Sequence, residues 1–147
     1  MLEFKKMNIV TFALCAGLSA CPDIQVVKDR AEDTCCAVDD PVPPVISCVE
    51  VADGQPLGQE VPLQCTVTDD QAVLAVTSFF RLETSTYWDD EPMREVGEGV
   101  YEGAIPREDV QGGGMFYYFE AMDEGGNIAS FPSDGEDGEL HFRVSAD

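Results

Sequence analysis

The sequence predicts an all-β sandwich over residues 44–147, and three observations carry that expectation. Short stretches of alternating apolar residues recur from Pro44 onward, separated by Gly, Pro and Asp clusters at the intervals of sandwich strands. No stretch of that region has helical periodicity of useful length. The length of 147 residues leaves room for one domain.

Seven strands are placed at about 45–51, 61–68, 73–83, 93–97, 99–105, 115–122 and 140–145, a number that suits two packed sheets of immunoglobulin-like type. Because side chains alternate along a strand, period two assigns the inward faces. Those sets are Leu63, Cys65 and Val67 on the second strand, and Leu74, Val76, Phe80 and Leu82 on the third. Tyr101, Gly103 and Ile105 follow on the fifth, and Tyr117, Phe119 and Ala121 on the sixth.

Tyr117-x-Phe119-x-Ala121 resembles the corresponding stretch of fibronectin type III and related domains. More widely, residues 44–147 are similar to the immunoglobulin-like modules of bacterial surface proteins through Val67-Thr68-Asp69-Asp70, the run from Gly99 to Pro106 and the run from Tyr117 to Asn127. The resemblance implies a tyrosine corner, with Tyr117 inside and its hydroxyl satisfied by the backbone of the preceding turn. Phe119 stands where antibody-type domains carry a cysteine, and Trp88 falls between strands instead of inside one. The expected domain is therefore not of antibody type.

Ahead of the domain, Lys5 and Lys6 precede an uncharged run from Met7 to Ala20, long enough for a signal segment and too short to span a bilayer as a helix. It ends Leu18-Ser19-Ala20-Cys21, which resembles the lipobox of bacterial lipoproteins. That resemblance implies removal of residues 1–20 as a signal peptide, palmitate-type acylation of Cys21, and an extracytoplasmic protein held at a membrane, with Pro22 after the cysteine favouring the outer membrane. Each buried methylene contributes about 0.8 kcal/mol, and two or more chains anchor stably. Residues 21–43, polar and ending in prolines, read as a tether.

A formal net charge of −21 argues against nucleic acid or anionic lipid as a partner of the folded part, and leaves a positively charged ligand open. At 44% hydrophobic the chain is too apolar for a disordered acidic tail. With Cys15 in the signal and Cys21 acylated, Cys35, Cys36, Cys48 and Cys65 remain, and they admit three pairings. Cys48 and Cys65 fall on predicted neighbouring strands, so a bridge between them is favoured, worth roughly 3 kcal/mol in the chain-entropy model. The pairing of Cys35 and Cys36 stays open, between a local bridge and a link to another chain. No Cys/His spacing for zinc occurs.

Two clusters are candidate sites. The loops after the second and sixth strands emerge at one end of such a sandwich, bringing Asp69 and Asp70 near Asp123, Glu124 and Asn127. Hard oxygens in that number are what calcium requires, although no EF-hand spacing is present. The other reading is that Asp69 and Asp123 form Asx turns and the glycines beside Asn127 supply positive φ. Tyr87 and Trp88, followed by Asp89-Asp90-Glu91 in an expected loop at the opposite end, are candidate contact anchors for a protein or a sugar, or else a cap on the sandwich. The run Asp134 to Glu139 reads as a solvated loop.

No catalysis is expected. His141 is the sole imidazole and opens the last strand, with no positioned Ser or Cys partner. The expected function is a membrane-anchored module that binds an envelope protein or a glycan; the alternative is an assembly accessory that pairs through an edge strand. An acid-catalysed hydrolase is a distant third.

Overall fold

The computed structural model describes residues 40–146. These residues belong to one compact unit, Val38–Asp147; Met1–Ala37 lies outside the described residues. The expected signal peptide, Cys21, Cys35 and Cys36 lie there too. Among the described residues no helix is long and apolar enough to cross a membrane.

The domain is all-β, in two sheets. It has ten strands: β1 (Val45–Cys48), β2 (Gln55–Pro56), β3 (Val61–Thr68), β4 (Val73–Leu82), β5 (Asp89–Pro92), β6 (Arg94–Gly97), β7 (Val100–Ile105), β8 (Gly113–Asp123), β9 (Ile128–Phe131) and β10 (Leu140–Ser145). One sheet has the order β1-β3-β7-β6. The other runs β2-β10-β8-β4-β5, with β9 also on β8. The long β8 serves two partners along one edge, β10 over Gly113–Tyr117 and β9 over Phe119–Met122. All ladders are antiparallel except β2 with β10.

The core between the sheets follows the period-two faces. Val61, Leu63, Cys65 and Val67 of β3 are buried while the residues between them are exposed; with Ile105 of the neighbouring β7 they are met from the other sheet by Met115, Tyr117, Phe119 and Ala121 of β8, Phe80 of β4 and Phe142 of β10. A tight hairpin joins β6 to β7. Gly99 has φ +76 there, and a Cβ on it would lie 2.5 Å from the Val67 carbonyl oxygen, so this close approach of backbones requires glycine.

Three departures from the sequence expectation have physical causes. The strand count is ten, not seven, because β2, β5 and β9 are short partners whose pairing is settled by their neighbours. Leu74 is 60% exposed instead of inward, because a bulge between Val73 and Ala75 adds one residue to β4 and flips the alternation before Val76. Ser78 occupies a core position no apolar pattern marks, satisfied by donating its Oγ hydrogen to the Glu91 carbonyl.

Cys48 and Cys65 form a disulfide between directly opposed positions of β1 and β3, with Cα atoms 4.0 Å apart. Tyr117 is buried, but its hydroxyl partner differs from expectation. Tyr117 Oη accepts a 2.7 Å hydrogen bond from the Val51 N–H, in the segment that crosses from one sheet to the other, and not from the turn before β8.

Candidate functional site

Three segments distant in sequence converge at one end of the sandwich: Asp40 ahead of β1, Asp69 in the turn from β3 to β4, and Asp123 at the end of β8. One carboxylate oxygen from each lies within 4.8 Å of the others. Asp123 has no exposed surface. Burial raises its pKa, but hydrogen bonds from the Asn127 side chain and from the backbone of Asn127, Gly126 and Gly125 outweigh that and hold it below the ordinary carboxylate value. Its two oxygens accept from the Asn127 N–H and from Asn127 Nδ2, each at 2.8 Å.

The other two carboxylates are only half satisfied. Asp40 Oδ1 accepts from the Val42 N–H at 3.0 Å, and Asp69 Oδ2 from the Gln71 N–H at 3.3 Å. Asp40 Oδ2 and Asp69 Oδ1 are buried with no hydrogen-bond partner. Among the described residues the ion pair is Arg81 with Glu139, so no cationic side chain compensates this group. Gly125 packs against it: a Cβ there would lie 2.7 Å from Asp40 Cβ.

Of the residues expected near a cation, Asp69 and Asp123 are thus brought together. Asp70 and Glu124 are exposed and stand outside the trio. Asn127 acts as a donor: its Nδ2 holds Asp123 and, at 2.7 Å, the Asp40 carbonyl oxygen. Asp40 was missed because it precedes the first predicted strand, in the stretch read as tether. No local pattern marks a contact to Asn127 across 87 positions.

Tyr87 and Trp88, which follow β4, have different surroundings. Tyr87 is 81% exposed. Trp88 is half-buried on the outer face of the six-stranded sheet, edge-on to Tyr118 with ring centroids 4.9 Å apart, and its Nε1 donates to Glu136 at 3.0 Å. The Arg81 guanidinium lies 4.9 Å from the Trp88 ring centre and 4.5 Å from that of Phe116, and is pinned by Glu139 and the Ser85 carbonyl. Phe79 stacks on Tyr118 at 4.7 Å. Here the register sets these contacts, since Phe79 faces Tyr118 and Arg81 faces Phe116 across β4 and β8.

The acidic runs are therefore not simple loops. Asp89-Asp90-Glu91 form most of β5, an edge strand paired to β4, instead of the expected loop. Gly135–Gly138 form a 3-10 turn; Glu136 within it holds Trp88, and Glu139 just after it holds Arg81. Asp109 lies close to β5: burial, followed by the charges of Asp89, Glu108 and Glu91, pushes its carboxyl above the usual value. His141 packs its ring on Phe116. On the other sheet an open groove of about 560 Å³ is lined by Val49, Glu50, Glu60, Leu63 and Glu102 among others.

No protein-family model matches the chain, and no curated protein matches its sequence. Among solved structures, the endo-beta-1,4-mannanase from Thermotoga petrophila is similar, with a TM-score of 0.50 and 13% identity over 74% of this chain and 21% of that one. The chain thus spans about a fifth of the length of that structure. At that identity the likeness concerns the fold alone.

Proposed function

We propose that this chain is a lipid-anchored, extracytoplasmic lipoprotein whose immunoglobulin-like module captures an envelope protein or a glycan without catalysis. Leu18-Ser19-Ala20-Cys21 supports the anchor, and the Cys48–Cys65 bridge suits an oxidising compartment. The sheet orders support the immunoglobulin-like type. In the lettering of that fold, β1-β3-β7-β6 corresponds to A-B-E-D and β10-β8-β4 to G-F-C, while β2, β5 and β9 are additions.

The observation that carries the binding reading is Tyr87. Its ring stands 81% exposed beside Trp88, whose own position is fixed by Tyr118, Arg81 and Glu136. An exposed aromatic next to a braced one adds contact area at little entropic cost. The edge-pairing alternative has less support, because β5 reads Asp-Asp-Glu-Pro and such edges repel an added strand.

Mild crosslinking and capture from native envelopes, comparing wild type with Tyr87→Ala, tests the reading. Loss of a partner by Tyr87→Ala, with the fold intact by circular dichroism, is the expected result. Equal capture by both chains rejects Tyr87 as the anchor.

A further inference from the structure

We infer that Asp40, Asp69 and Asp123 form a calcium site that fastens the segment leading into the domain to its β3–β4 and β8–β9 turns. Acidic residues gathered at a surface are common without an ion; two features set this trio apart. Asp40 keeps only 9% of its surface, and its Oδ2 is buried with no partner. Asp69 Oδ1 is likewise buried and unpartnered, and Asp69 belongs to the same group, in which one carboxylate oxygen of each residue lies within 4.8 Å of the others.

Buried carboxylate oxygens that lack both donors and a compensating cation are costly, and three converging on one point add mutual repulsion. A bound cation removes both costs. The donor set is carboxylate oxygen throughout, with no sulfur or imidazole, which selects a hard ion. Calcium takes carboxylates and carbonyls in flexible geometry and completes its shell with water, whereas magnesium demands near-ideal octahedral geometry and gives up its waters reluctantly.

The arrangement also assigns separate duties. Asp123 is anchored by Asn127 and the glycines of its turn, so its position is set by the protein. Asp40 and Asp69 each spend one oxygen on a local backbone N–H and keep the other buried and unpartnered, available to a cation. An ion there links three segments that no covalent bond joins. The inference does not rest on the binding role of Tyr87, and the two fail separately.

The test uses the full chain, freed of metal by a chelator and then titrated with calcium or magnesium. Isothermal titration should find one calcium per chain. Calcium at about a hundredfold above its dissociation constant should raise the melting midpoint by on the order of 10 °C, and magnesium by much less. Asp69→Asn should abolish the calcium shift while melting no earlier than wild type in chelator, because it relieves repulsion. Asp70→Asn and Glu124→Gln should keep the shift. No heat and no shift with millimolar calcium, an equal response to magnesium, or a full calcium shift in folded Asp69→Asn would each overturn the assignment.

Discussion

The N–H of Val51 donates a 2.7 Å hydrogen bond to Tyr117 Oη across 66 positions of sequence. Val51 lies on the segment that leaves β1 for β2, and so crosses from the four-stranded to the six-stranded sheet. Tyr117 meanwhile packs edge-on against Phe119 and Phe142 in the core. One phenol thus fills the interior and fixes the crossing strand.

Tyr117→Phe keeps the ring and strips the acceptor from a partly buried N–H. Chemical denaturation should show a loss of about 1–2 kcal/mol. A change within experimental error would mean that the Val51 N–H finds water instead.

Alkaline stability follows from the same ring and two others. Burial raises the pKa of Tyr117, Tyr101 and Tyr118, reinforced by nearby glutamates and, at Tyr117, partly offset by the Val51 hydrogen bond. A phenol whose folded pKa exceeds its unfolded value stabilises the native state fully below about pH 10, and that stability is lost as pH rises through the folded values. Phenolate absorbance from these residues should therefore emerge above pH 10 and together with loss of β-sheet signal. Full titration near pH 10 in a chain that stays folded would contradict this.

The Cys48–Cys65 bridge closes a loop of sequence separation 17. Replacing both cysteines by alanine should cost roughly 3 kcal/mol, read from chemical denaturation with midpoint and slope both fitted, since the unbridged unfolded chain exposes more surface.

Tyr87 and Trp88 should separate stability from binding. Trp88→Ala removes the edge contact to Tyr118 and the bond to Glu136, and should destabilise the domain by about 1–3 kcal/mol. Tyr87→Ala, at a largely exposed position, should stay within about 0.5 kcal/mol of wild type. A Tyr87→Ala protein that melts early would make Tyr87 a structural residue.

Much of this domain is written locally. Leu63, Cys65 and Val67 alternate without interruption, as do Tyr117, Phe119 and Ala121, and all are buried as period two predicts. The failures lie where a partner across the chain decides. Nothing local marks Asp89-Asp90-Glu91-Pro92 as a strand; it pairs because β4 offers an open edge. Leu74 obeys the pattern and is exposed because a bulge intervenes. Two of the three clustered carboxylates were legible, since the two loops that meet at one end hold Asp69 and Asp123. Asp40 was not, because only the folded chain brings it to Asn127.

Intact mass measurement of the mature chain isolated from membranes tests the lipid-anchored account most directly. The account predicts a chain beginning at Cys21 and carrying the mass of a diacylglycerol and a further acyl chain. An unmodified Cys21, or a mature chain that still contains residues 1–20, would contradict it.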